Sequence, residues 1–178
     1  MAVGRLAYQK GFERLLNAFA DLAPRHTDWS LVILGEGSLR GCLTEQATQL
    51  GLDGYVAFPG AVGNVGEWFA VADAYVMTSR FEGFPNTLLE AMAHGVPSVV
   101  VDCLTGPREL IETEVNGLLV PEDDPTALIT ALDRLMVDPD LRMRLATRAI
   151  EVRKKYSVEQ IAAHWEHEFQ FITHRICQ

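Results

Sequence analysis

Cysteine is scarce in this sequence: Cys42, Cys103 and Cys177 are the whole complement, far apart and with no CxxC pair. An odd number of scattered thiols argues against a disulfide framework or a thiolate zinc site and fits a reducing compartment. Basic residues are outnumbered, 15 against 24 acidic ones, for a net charge of −9. That balance argues against a nucleic-acid partner, whose phosphate backbone rewards a basic face. It leaves phosphate binding open, since a few placed cations suffice. No run approaches the ~20 apolar residues of a membrane helix, and the first residues lack the charged and apolar regions of a signal peptide. A cytoplasmic location is the expectation. Internal repeats and low-complexity tracts are lacking too. What is plentiful is apolar content, 48% of 178 residues, which supports one full core and a single domain over residues 1–178.

In chain order, Met1–Gly4 reads as the tail of a strand, so the sequence is expected to begin inside a longer protein. Gly11–Leu22 places Phe12, Leu15, Leu16, Phe19 and Leu22 at helical spacing. Ser30–Leu34 is a strand leading into Gly35-Glu36-Gly37, and Ser38 is the expected cap of a helix reaching about Leu50. Tyr55–Phe58 is a strand ended by Pro59-Gly60, and Val65–Ala72 a short helix. Ala74–Ser79 is a strand, Asn86–Ala93 a helix stopped by Gly95, and Pro97–Asp102 a buried strand. Gly106–Glu112 is a short helix and Leu118–Val120 a last strand. Pro125–Met136, Asp140–Lys155 and Val158–Thr173 follow as helices. This alternation with short connections predicts an α/β fold: a doubly wound, Rossmann-like parallel sheet with helices on both faces. Ligands of such sheets sit beyond the carboxyl ends of the strands, where the strand order reverses.

Two surface features follow. Val158, Ile161, Ala162, Trp165, Phe169 and Ile172 form an apolar stripe on the last helix, expected to cover this domain's own sheet, with docking on a partner domain as the alternative. Arg142, Arg144, Arg148, Arg153, Lys154 and Lys155 form a basic run, read as a solvated face, with contact to an anionic membrane surface as the alternative.

The chemistry concentrates in Ser79–Asp102, where a strand, a turn, a helix and a second strand form one unit. A helix N-terminus offers unpartnered N–H groups and a partial positive charge, so it takes a phosphate. Gly83 permits a sharp turn and close approach of a ligand, Pro85 suits the first helical position, and the amides of Asn86 and Thr87 are expected to face outward. Glu90 lies on the same helical face as Asn86 and Thr87, one ~5.4 Å turn further on. A carboxylate there can accept both hydroxyls of a ribose. Thr87-x-x-Glu90 also fits a capping box, in which Glu90 does no more than satisfy the backbone of Thr87. Glu82, eight residues before Glu90, makes the pair an E-x7-E, although a Glu-Gly turn is often merely exposed. Arg5 and Lys10 flank the turn after the first strand on the same sheet edge. Together they can neutralise a departing diphosphate without a metal ion. Gly35-Glu36-Gly37 is only part of a dinucleotide fingerprint. His164, His167 and His174 lack carboxylate or thiolate neighbours for a metal site, and Cys103 has no nearby histidine to activate it. Asn116-Gly117 is a turn.

Taken together these residues resemble the C-terminal nucleotide-sugar-binding domain of GT-B glycosyltransferases, specifically the retaining family 4. The resemblance runs through Gly4–Leu6, Lys10-Gly11, LVILGEG at Leu31–Gly37, VAFPG at Val56–Gly60, EGFPNTLLEAMAHGVPSVV at Glu82–Val100, Gly106-Pro107-x-Glu109 and NGLLVP at Asn116–Pro121. It implies transfer of a sugar from a nucleotide donor to an acceptor hydroxyl with retention at the anomeric carbon. Arg5 and Lys10 would bind the diphosphate, and Gly83, Phe84, Pro85, Asn86 and Thr87 the diphosphate and sugar. Glu90 would hold the ribose, and Glu82 would lie beside the reacting carbon in a supporting role. The base would lie near Gly35 and the Ala61-Val62 turn. A UDP-sugar is the implied donor, with Asp102–Pro107 similar to members that use UDP-N-acetylhexosamines, and no cofactor or metal is implied. The family's N-terminal acceptor domain is expected to be the missing partner, so this chain alone is expected to bind donor with little transfer. The alternatives are a non-catalytic sugar-nucleotide sensor or partner subunit, and an interaction domain whose Glu90 is only a cap.

Overall fold

The computed structural model describes the backbone of residues 1–176 and the side chains of residues 1–170. The strands are β1 (Ala2–Val3), β2 (Leu31–Leu34), β3 (Val56–Gly60), β4 (Tyr75–Met77), β5 (Ser98–Asp102) and β6 (Leu118–Pro121). They form two parallel triplets, β1-β2-β3 and β4-β5-β6. The expected single sheet is thus two halves, which meet where Met1 lies beside Tyr75. Met1 N donates to Ala74 O (2.6 Å) and Val76 N to Met1 O (2.9 Å), the two bonds by which one residue joins a parallel neighbour. Side by side the strands run β3-β2-β1-β4-β5-β6, and the winding reverses between β1 and β4.

The helices are α1 (Phe12–Leu22), α2 (Arg40–Gln49), α3 (Val65–Ala70), α4 (Asn86–Ala93), α5 (Pro107–Leu110), α6 (Pro125–Val137), α7 (Pro139–Ala149), α8 (Val152–Lys155) and α9 (Val158–Ile176). A 3-10 turn, Tyr8–Lys10, precedes α1. Strand alternation sends side chains to two cores. Val99 and Val101 of β5 join Leu15, Leu16 and Phe19 of α1 and Leu132 of α6, whereas Val100 joins Leu88 and Met92 of α4 and Phe69 of α3. Both faces are therefore covered, and β5 is buried from Ser98 to Val101, as its apolar run requires.

Several local expectations are corrected. Ser38 does not cap α2, which starts at Arg40 from Leu39 with no side-chain cap. β3 continues through Pro59-Gly60, because β3 is an edge strand and proline there removes no ladder bond that is needed. The expected helix Asp140–Lys155 is broken at Ile150-Glu151 into α7 and α8, which leaves Ala149 and Val152 both in the second core. The apolar stripe does not cover the sheet, whose faces α1, α2, α6 and α4 already occupy. Val158 is 80% exposed and Trp165 57% exposed, with Ile161, Ala162 and Phe169 exposed as well. The side chain of Ile172 lies outside the described residues. The basic run is solvated as expected, with Arg144, Arg148, Arg153, Lys154 and Lys155 exposed and Arg142 half-buried, and several of its members also have local partners. Arg142 donates to Leu135 O (2.5 Å) and lies over Trp29, Arg148 pairs with Glu151 (2.8 Å), and Arg153 donates to Ala93 O (2.5 Å).

One glycine joins the two halves. Gly11 has φ +62° as the hinge between the 3-10 turn and α1, and a Cβ there would lie 2.2 Å from Thr78 O of the chain leaving β4. Gly51 has a similar φ, +70°, but open space around it. Gly51→Ala should therefore cost only the left-handed backbone penalty, about 1 kcal/mol. Gly11→Ala should cost ~3 kcal/mol, because overpacking against backbone adds to that penalty. Urea unfolding of the two variants checks the order, and equal midpoints would contradict this packing.

Candidate functional site

The segments leaving β1 and β4, on either side of the reversal, are tied together by hydrogen bonds. Arg80 N donates to Gln9 O (2.8 Å), Gln9 Nε2 to Phe81 O (3.0 Å) and Thr78 Oγ1 to Lys10 O (3.1 Å). The Arg80 guanidinium donates to Tyr8 O (2.7 Å), lies 3.9 Å from the centre of the Tyr8 ring and pairs with Glu13, whose carboxylate raises the guanidinium pKa further. These bonds bring Lys10 to Glu82. Lys10 Nζ stands 2.6 Å from Glu82 Oε1, and Ser79 Oγ donates to the same oxygen at 2.6 Å. Glu82 is 9% exposed, so the reading of an exposed Glu-Gly turn is corrected. Among the described residues Oε2 has no protein partner, and no fully buried side-chain oxygen lacks one; Oε2 is therefore the oxygen that solvent reaches.

At the tip of α4, Pro85 sits one position before the helix rather than within it, with φ −82° and ψ 75°. That inverse-γ geometry lets Asn86 N donate to Phe84 O (3.0 Å), so the Asn86 amide is not free, contrary to expectation. Among the described residues, the N–H groups of Gly83, Phe84 and Thr87 have no protein acceptor. The capping box is not formed. The Thr87 hydroxyl is 2.9 Å from the Tyr75 hydroxyl, whose pKa burial pushes well above the ordinary phenol value. Glu90 is exposed, and its carboxylate has no protein partner among the described residues. The helix thus presents free amides and, one turn on, an uncommitted acid.

The other candidates lie along the same edge. Arg5 is exposed, with no partner among the described residues. It is flanked by Gly4 N→Leu34 O (2.9 Å) and Leu6 N→Glu36 O (2.9 Å), which lash the β1 loop to the β2 loop. Gly35, at φ +136°, is where those backbones touch: a Cβ would lie 1.9 Å from Gly4 O. That contact explains the glycine without a dinucleotide. Gly35 N also donates to Gly60 O (2.8 Å), which brings Gly35 beside Ala61. Ala61 is exposed, and Val62 lines an open cleft with Trp68. No bond ties Ala61 or Val62 to the Glu82 turn among the described residues.

Residues that pattern reading passed over include Ser79 and Thr105. Ser79 stands three before Glu82, and Thr105 Oγ1 reaches Glu82 O from the far side. The Cys103 thiol is buried, and burial first and the Glu82 charge second raise its pKa, which opposes a nucleophilic role. No metal-binding group of three His, Cys, Asp or Glu occurs among the described residues, and the side chain of His174 lies outside them. The sequence does hold one Asp-x-Asp, Asp138-Pro139-Asp140, and its Asp138 caps α7, accepting from Leu141 N (2.8 Å). A cavity of about 660 Å³ lies between α5 and α8, bordered by Glu109, Lys155 and Tyr156, whose ring packs against Phe84 (5.8 Å between ring centres). The convergence of unpartnered groups, rather than cavity size, marks the site.

Removing one partner of a buried ion pair strands the other charge. Lys10→Met should therefore destabilise the fold by ~3 kcal/mol, and adding Glu82→Gln should recover more than half of that loss. Urea unfolding of the four-member cycle measures it, and additive losses would show that the pair is not coupled.

Comparison with known proteins fits this geometry. A family model described as glycosyl transferases group 1 matches residues 1–152. Over 166 residues the chain is 30% identical to an uncharacterized glycosyltransferase of Haemophilus influenzae, covering 93% of this chain and 47% of that protein. The fold matches Anabaena HepE, solved in complex with UDP, with a TM-score of 0.86 and 25% identity over 95% of this chain and 48% of that one. It also matches the C-terminal domain of a glycosyl transferase group 1 family protein, LpcC, from Francisella tularensis. There the TM-score is 0.79 and the identity 26%, over 87% of this chain and 84% of that one. The chain spans about half the length of the Haemophilus relative. By family model, relatives and fold, the chain belongs to the group 1 glycosyl transferases and has the α/β architecture of their GT-B structures.

Proposed function

We propose that this chain is the C-terminal, donor-binding domain of a retaining, family-4 glycosyltransferase and holds a nucleotide sugar where the winding reverses between β1 and β4. The observation that carries the reading is the convergence at the tip of α4. Lys10 is held at Glu82, the amides of Gly83, Phe84 and Thr87 are unpartnered, and Glu90 is uncommitted one turn on. In this reading Lys10 and Arg5 neutralise the diphosphate as it departs, the amides of Phe84 and Thr87 take its oxygens, and the Gly83 amide, next to Glu82, faces the sugar, so no metal is required. Glu82, anchored through Oε1, offers Oε2 to the sugar beside the reacting carbon and is not assigned as a nucleophile. Pro85 and Asn86 shape the turn around the diphosphate and sugar, Glu90 accepts the ribose hydroxyls, and Gly35 with Ala61 and Val62 borders the base. Uridine is the favoured base, on the similarity to a relative solved with UDP. The acceptor site belongs to an N-terminal domain, so this chain alone binds donor and transfers little. Free thiols at Cys42 and Cys103 suit the cytoplasm.

Thermal unfolding with UDP, GDP or ADP tests the reading. A nucleotide at 100 times its Kd should add about 2.7 kcal/mol, and one of the three, UDP by preference, should do so. Arg5→Ala and Glu90→Gln should each at least halve that shift while leaving the ligand-free Tm within 2 °C, roughly half a kcal/mol for a domain this size, because neither side chain has a partner to lose among the described residues. A Glu90→Gln variant that melts early without ligand yet keeps its nucleotide shift would restore the capping account. A sensor would share the binding but gain no transfer when joined to an N-terminal domain.

A further inference from the structure

The loop between β5 and α5 is pressed onto the Glu82 turn at three successive residues. Leu104 bridges Phe81, the Thr105 hydroxyl lies within donating reach of Glu82 O and also of Leu104 O (2.7 Å), and a Cβ on Gly106 would lie 2.7 Å from Pro85 Cδ and 2.9 Å from Gly83 O. Thr105 has φ +65°, a left-handed conformation that a β-branched residue rarely adopts. Gly106 follows at φ +90°, so the reversal continues through a residue suited to it while Thr105 is not. Strain of this kind persists only where the surroundings impose it, and it clusters at functional sites. Here what imposes it is the contact with the Glu82 turn. The carboxylate of Glu82 is fixed by Lys10 and Ser79 from one side, and its backbone carbonyl by Thr105 from the other. Releasing the carbonyl frees the peptide plane joining Glu82 to Gly83, and with it the direction of the unpartnered Gly83 N–H. A cleft of about 380 Å³ opens beside the same loop, bordered by Asp102, Leu104, Thr105 and Gly106.

We propose that Thr105 is a positioning residue: its hydroxyl, held in place by a strained backbone, orients the Glu82–Gly83 peptide and so sets the grip on the transferred sugar rather than on the nucleotide. This rests on the donor-site reading above, in which Glu82 faces the sugar and Glu90 the ribose. Glycine at this position removes the hydroxyl and relieves the strain together. Serine keeps the hydroxyl, and alanine removes it with no donor in its place.

The test is calorimetric titration of the 178-residue chain with the nucleoside diphosphate that stabilises it and with the glucose and N-acetylglucosamine conjugates of that diphosphate. Thr105→Gly should lower the affinity for at least one conjugate relative to the diphosphate by fivefold or more. The diphosphate Kd should stay within twofold, and the Tm should be equal or higher. Thr105→Ala should behave like Thr105→Gly, and Thr105→Ser should keep the wild-type ratio; these two variants decide the matter if the glycine variant folds poorly. An unchanged ratio in Thr105→Gly and Thr105→Ala, or equal losses for diphosphate and conjugates, would overturn the positioning role and leave the donor site standing. Failure of the wild-type chain to bind any nucleotide would remove the donor site itself and this role with it.

Discussion

The fold turns on a buried ion pair at the place where its two halves meet. A carboxylate withdrawn from water costs several kcal/mol unless a partner and hydrogen bonds satisfy it. Glu82 has both, in Lys10 and Ser79, but Lys10 comes from the segment after β1 and Glu82 from the segment after β4. The pair can form only if those segments lie against each other. Thr78, Arg80 and Gln9 bond across to keep them there, and Gly11 leaves room for the Thr78 carbonyl. The reversal of strand order is what makes two such carboxyl ends neighbours. Topology, glycine placement and charge pairing therefore specify one local structure.

This arrangement reconciles an acidic chain with an anionic ligand. A net charge of −9 is spread over the surface and screened within ~10 Å in ordinary salt. On the proposed reading a diphosphate would meet instead the few groups within contact distance: a held ammonium, an exposed guanidinium and amides at a helix tip. Anchoring Glu82 through one oxygen has a second effect. The acid nearest the proposed anion site is already paired, so it would repel a phosphate less than a free carboxylate would. Glu90, which is unpaired, stands a turn away, where hydroxyls rather than phosphate oxygens would meet it.

The alternation of apolar strands and amphipathic helices was legible because parallel strands buried on both faces read as continuous apolar runs, and Asn86–Ala93 is bounded by proline and glycine as clearly in sequence as in space. What escaped reading depended on tertiary context. β3 runs through Pro59 because it lies at an edge, which the order of strands decides. Thr87-x-x-Glu90 spells a capping box, but Tyr75, twelve residues earlier, takes the Thr87 hydroxyl. The Asn86 amide turns back on Phe84 because Pro85 adopts a γ-turn rather than the first helical position. The stripe on α9 has helical spacing, yet the faces it was expected to cover are filled by helices that come earlier in the chain. Glu82 could be singled out by its spacing to Glu90, but its burial could not, since its partner stands 72 residues away.

The claim that matters most is that the unpartnered amides at the tip of α4 receive an anion. Titration of the ¹⁵N-labelled chain with UDP, followed in ¹H–¹⁵N spectra, examines it directly. The account predicts that the largest shifts fall on the amides of Gly83, Phe84 and Thr87, together with Lys10 and Gly11, and that the amide of Asn86, already bonded to Phe84, moves less. Shifts that spare Gly83 and Thr87 and gather instead around Glu109, Arg148 and Gln160, at the cavity between α5 and α8, would contradict it.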